Sequence, residues 1–155
     1  MTVHSIKEPS FQLLLKEVVD SINSVIPAQP IINHTPSIES AIPIDLGVSV
    51  HFTGDMKGLL FLKGEKDTFS SIAEMLYGMR LDGEMLTSFT GEVGNMIAGT
   101  LSTNLTKLSL KTDITSPELF QSDIFNVAHH EQALGVELTY DAHGVQLDVI
   151  LMVVY

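Results

Sequence analysis

Helices and antiparallel hairpins interleave along this chain, which predicts an α+β fold. The expected form is an α/β sandwich, a mostly antiparallel sheet with long amphipathic helices packed on it. Three observations carry the prediction. Apolar residues recur at 11, 14, 15, 18, 19, 22, 25 and 26, the stripe of an amphipathic helix. Val48, Val50 and Phe52 alternate with Ser49, His51 and Thr53, and Gly54–Gly58 then turns the chain into Leu59–Lys63, as in a hairpin. Val136, Leu138 and Tyr140 alternate in the same way, Asp141–Gly144 turns, and Val145–Tyr155 runs back as a long strand.

In chain order, Ser10 is placed to cap the first helix and Pro27 to stop it. Residues 27–46 hold four prolines and read as a loop with a short strand around Ile31–His34. Asp67–Tyr77 reads as a second helix ended by Gly78. A third and longer helix follows, from about Gly83 to Lys107, with Asp82 as its cap candidate. Leu110–Ile114 should return as a strand. Thr115-Ser116-Pro117-Glu118 either opens a short helix as a capping box or crosses in extended form. The last six residues are apolar on both faces, so their strand should be central or covered. The 145–155 strand or the 48–62 hairpin is expected to offer a sheet edge to a twofold partner.

At 155 residues and 45 % hydrophobic, the chain is long enough to bury a core, and one domain spanning 1–155 is expected. Eight basic against 19 acidic side chains give a formal charge of −11. Such a surface repels phosphate backbones and anionic membranes, so neither nucleic acid nor membrane insertion is expected. The sequence holds no cysteine, which excludes disulfides and thiolate chemistry. The first residues lack the apolar stretch of a signal peptide, and Val149–Tyr155 is too short to span a bilayer. A cytoplasmic location is the expectation. His129-His130-Glu131 invites a metal reading, but adjacent side chains point apart, so no metal site is expected there.

The long helix carries the functional signal. On a helix, Ser88, Glu92 and Asn95 fall at i, i+4 and i+7 and share one face, with Gly99 beneath Asn95. Phe89, Val93, Met96 and Ile97 fall on another arc that can reach a core. Gly91, Gly94 and Ala98 thin out a third side. Each glycine costs about 1 kcal/mol relative to alanine in an exposed helix interior. Close approach by a second backbone or a partner protein is the usual reason to keep them, and helix packing is expected at Gly91 and Gly94.

These residues resemble a known signature. Ser88-x-x-x-Glu92-x-x-Asn95, continuing as Met96-Ile97-Ala98-Gly99, is similar to the motif of the CheC/CheX/FliY chemotaxis phosphatases. The 48–62 hairpin and Ile114-Thr115-Ser116-Pro117 resemble the family's flanking segments, so the likeness runs over roughly residues 45–120. CheC-type members usually carry two such helices. Here the first helix offers only a loose echo in Asp20 and Asn23, without a glutamate or a glycine tail, so one site is expected, as in the CheX-like branch. After Gly99 the family often runs Asn-Ala-Lys, whereas this chain has Thr100-Leu101-Ser102.

The resemblance implies a phosphatase acting on an aspartyl-phosphorylated CheY-like response regulator, and a homodimer. It implies Asn95 as the catalytic carboxamide, Glu92 as docking and orienting group, and Ser88 and Gly99 at the partner surface. Phosphoryl transfer has a loose transition state, so the catalyst mainly positions a water in line. A carboxamide can accept a hydrogen bond from water and donate one to a phosphoryl oxygen without adding charge. A carboxylate is a poor base beside a phosphoryl dianion, and pairs better with a regulator lysine. Any Mg²⁺ belongs to the regulator, so no cofactor is expected on this chain. The alternative is a non-catalytic module on the same fold that binds or scaffolds the regulator. A third reading, an enzyme for a small phosphorylated molecule, is disfavoured because no glycine-rich phosphate cradle or basic pocket is legible.

Overall fold

The computed structural model describes residues 10–35, 38–127 and 132–154. Among the described residues, three helices pack on a seven-stranded, fully antiparallel sheet, the α+β arrangement expected. The strands are β1 (Ile31–Thr35), β2 (Ala41–Gly54), β3 (Lys57–Gly64), β4 (Thr112–Ile114), β5 (Glu118–Asn126), β6 (Gln132–Tyr140) and β7 (Val145–Val154). The helices are α1 (Phe11–Val25), α2 (Lys66–Tyr77) and α3 (Gly83–Leu105). The strand order is β1-β6-β7-β3-β2-β4, and β5 pairs with β2 further along the same edge. His129-His130-Glu131, weighed above as metal ligands, lie outside the described residues.

Each helix has an identifiable start and stop. The Ser10 hydroxyl accepts the Leu13 N–H at 3.3 Å and opens α1, whose stripe of Leu14, Leu15, Val18, Val19 and Ile22 is buried. The cap of α2 comes from outside the helix: an Asp45 carboxylate oxygen accepts the Lys66 N–H at 3.0 Å. Gly78 ends α2 at φ 78°, a left-handed turn that suits glycine. Asp82 stands at the N-cap of α3 but makes no side-chain capping bond. That helix ends at Leu105, and the chain tightens into a 3₁₀ turn over Thr106–Leu108.

The sheet carries apolar clusters on both faces. Leu46, Val48, Val50 and Phe52 of β2 face the helices, whereas Ile42 and Ile44 join Leu59, Phe61, Ile150 and Met152 on the other side. The strand therefore changes phase between Ile44 and Leu46. There Asp45 and Ser122, which stand opposite one another, leave the ladder while the register on either side is unchanged, and Ser122 adopts a left-handed φ of 45°. Phe120 and Phe125 of β5 cover the second cluster, with ring centroids 5.1 Å and 4.6 Å from Phe61.

Three sequence expectations change. The 27–46 loop is shorter, because Ala41–Asp45 already belong to β2. Thr115–Pro117 crosses in extended form and leads into β5, resolving that choice against a helix. Neither β7 nor the β2–β3 hairpin offers a free edge: β7 lies between β6 and β3, and β2 and β3 pair with each other and on their outer sides.

Candidate functional site

The middle of α3 rests on the sheet along one side and is bare on the other. Leu86, Phe89, Val93, Ile97, Leu101 and Leu105 form its buried stripe. Gly94 lies directly over Val48: a β-carbon there would meet Val48 Cγ1 at 2.6 Å. The close approach expected of the glycines is thus real at Gly94, but its partner is a strand and not a helix. At Gly91 and Gly99 an added β-carbon would meet nothing within 4 Å.

Ser88, Glu92 and Asn95 all project from the bare side and are exposed, with half-buried Gly99 one turn beyond Asn95. Met96, expected on the core arc, is 37 % exposed and belongs to this surface instead. The buried stripe is narrower than the sequence suggested, and position 96 falls past its edge. Met79 and Met85 are also exposed. The result is a convex helix face on which a carboxylate and a carboxamide share α3 with the exposed, flexible Met85 and Met96.

Tyr77, the last residue of α2, completes the group, and sequence reasoning did not single it out. Its hydroxyl donates to Glu92 Oε1 at 3.3 Å, and its ring meets that of Phe89 edge-on, centroids 5.6 Å apart. Desolvation raises the phenol pKa above its ordinary value, and the charge of Glu92 and the hydrogen bond to it add to the rise. The corner between the helices is tied down. The Ser70 hydroxyl donates to the Leu81 carbonyl at 2.8 Å and accepts the Leu81 N–H at 3.2 Å. Arg80 donates to the Ser71 hydroxyl at 3.0 Å and pairs with Asp67. The far end of α3 is tied by Ser102, whose hydroxyl donates to the Thr112 carbonyl of β4 at 2.9 Å.

The echo in α1 has different surroundings. The Asp20 carboxylate is paired with Lys16 at 2.9 Å, and the Asn23 carbonyl oxygen is buried with no hydrogen-bond partner among the described residues. Two concavities of the structure lie away from the α3 face. One runs between α1 and β1, lined by Leu15, Val19, Ile32 and Leu134, and another lies beside Asp45, Asp67 and Asp148. A convex helix face of this kind suits a protein surface better than a small ligand, which concave sites hold.

The model of the family described as chemotaxis phosphatase CheX matches residues 46–141, a span that includes the whole of α3. The chain belongs to this family. It is 30 % identical over 108 residues to the CheY-P phosphatase CheX of Thermotoga maritima, covering 67 % of this chain and 70 % of that one. In fold it is similar to the CheX of a CheX–CheY–BeF3–Mg²⁺ complex from Borrelia burgdorferi, with a TM-score of 0.74 at 19 % identity, over 95 % of this chain and 99 % of that one. A CheC-like superfamily protein from Shewanella gives a TM-score of 0.73 at 16 % identity, over the full length of both.

Proposed function

We propose that this chain, acting as one cytoplasmic domain, hydrolyses the aspartyl phosphate of a CheY-like response regulator. The observation that carries the reading is the joint exposure of Glu92 and Asn95 on the convex face of α3. The Thermotoga relative named as a CheY-P phosphatase supports the substrate. The fold neighbour from Borrelia was solved with CheY, Mg²⁺ and beryllofluoride, a group that stands in for the phosphoryl.

In this reading Glu92 docks on a regulator cation beside the phosphate and so sets where α3 enters. Asn95, one turn on, enters the pocket and holds a water in line with the phosphorus. Its carbonyl oxygen accepts from the water and its amide donates to a phosphoryl oxygen. The water's oxygen bonds to phosphorus as the bond to the aspartyl oxygen breaks, giving inorganic phosphate and free carboxylate. Mg²⁺ arrives with the regulator and offsets phosphoryl charge. Ser88 trims the docking contact, and the open space over Gly99 admits the regulator's loops.

The test is the decay of phosphate from the phosphorylated regulator. Wild type should accelerate it. Asn95→Ala should lose about a hundredfold or more in turnover while still binding, and Glu92→Ala should weaken binding. Binding without acceleration by wild type would instead assign the chain to a non-catalytic regulator-binding module. A homodimer built through a sheet edge would use β1, β4 or β5, the strands with one unpaired side among the described residues. Light scattering that gives a monomer at micromolar concentration would remove it.

A further inference from the structure

We infer that Tyr77 is a positioning residue for Glu92, holding its carboxylate in the orientation that meets the regulator. The inference rests on the docking role proposed for Glu92. A glutamate on an exposed helix face samples many rotamers, and fixing it on binding costs affinity. Here one hydrogen bond restrains it, from the Tyr77 hydroxyl at 3.3 Å.

The donor itself is held. The edge-on contact with Phe89, which is buried, fixes the plane of the Tyr77 ring. Gly78 and the bonds of Ser70, Ser71 and Arg80 fix the corner that carries it. Tyr77 is 53 % exposed, more than a residue kept only for the core requires.

The chemical choice of donor also fits the role. A lysine or arginine at this point would neutralise Glu92 and compete with a cation on the regulator. A phenol restrains the carboxylate and leaves its charge intact for the incoming partner. Its raised pKa keeps it a protonated donor throughout the physiological range. The hydrogen bond occupies Oε1 and leaves the second carboxylate oxygen of the exposed Glu92 available to a partner.

The experiment is a double-mutant cycle on the intact chain with the phosphorylated CheY-like regulator. Binding is read separately with the regulator loaded with beryllofluoride and Mg²⁺. Tyr77→Phe keeps the ring and its contact with Phe89, so its melting temperature should match wild type. Its KM and its Kd for the loaded regulator should rise about threefold to tenfold, with kcat unchanged. In a Glu92→Ala background, Tyr77→Phe should add no further loss.

An unchanged KM in Tyr77→Phe, with Glu92→Ala clearly impaired, would overturn the role of Tyr77 and leave the docking role intact. Equal losses in both backgrounds would overturn it too, because Tyr77 would then act without Glu92. An unchanged KM in Glu92→Ala would remove the docking role first and that of Tyr77 with it.

Discussion

Gly94 and Val48 are so close that a single methyl group added to the glycine would fall 2.6 Å from Val48 Cγ1 and 2.7 Å from Cγ2. Val48 is buried and β-branched, so it has little freedom to move aside. Gly94→Ala should therefore lose stability, by about 1–3 kcal/mol from overpacking. Gly91, three residues earlier on the same helix, faces open space. Gly91→Ala should gain up to about 1 kcal/mol from helix propensity alone. Urea midpoints at constant m-value would give the two opposite signs.

Ser102 stands where the family motif often places a different residue, yet it has a clear structural task. Its hydroxyl bonds the Thr112 carbonyl and lies 2.7 Å from the Thr112 hydroxyl. Ser102→Ala should cost about 1 kcal/mol of stability. It sits well beyond Asn95, so turnover of the regulator phosphate at moderate temperature should be kept. A collapse of kcat in a folded Ser102→Ala would contradict an anchoring role.

Tyr140 is fully buried, and its hydroxyl has no hydrogen-bond partner among the described residues. Burial pushes its pKa well above the ordinary 10.0. A raised folded-state pKa means that the contribution is complete below the unfolded pKa and is lost as pH rises above it. Thermal melts should therefore show wild type weakening from about pH 10 upward, with that share absent in Tyr140→Phe. At neutral pH the variant should be as stable as wild type or gain about 1 kcal/mol, since it removes an unsatisfied buried polar group.

The formal charge of −11 should steer the chain towards a basic rim on the proposed regulator. Association should slow as salt rises, because the Debye length shrinks to about 8 Å at physiological ionic strength. Stopped-flow on-rates that do not change with salt would remove this contribution.

The helices were legible because their signals are local. Ser10, Pro27 and Gly78 mark ends that the backbone confirms, and the i, i+4, i+7 spacing alone puts Ser88, Glu92 and Asn95 on one exposed face. The start of β2 was hidden by Pro43, which reads as a loop residue. It is tolerated because residues 41–45 pair only with β5, the ladder to β3 beginning at Leu46. β5 is mostly exposed and lacks strict alternation, so no period announces it. Tyr77 could not be assigned to the site from sequence, because its place beside Glu92 depends on the angle at which the Gly78–Asp82 corner sets two helices. The free edge expected of β7 failed for a related reason. A strand apolar on both faces is a central strand, and a central strand has both of its ladders filled.

The phase change in β2 has a consequence for solvent access. It lets Ile42 and Ile44 join the second apolar cluster, which with its lid of Phe120 and Phe125 lies under the middle of a sheet whose upper face is already closed by helices. Leu59–Leu62 of β3 and Ile150–Met152 of β7 are thereby shielded above, below and along both ladders. Their amides have no local route to deuterium, so they exchange only when the whole molecule opens. Seven peptide groups in two neighbouring strands thus act as a gauge of global unfolding, while the helix face proposed to meet the regulator lies outside it.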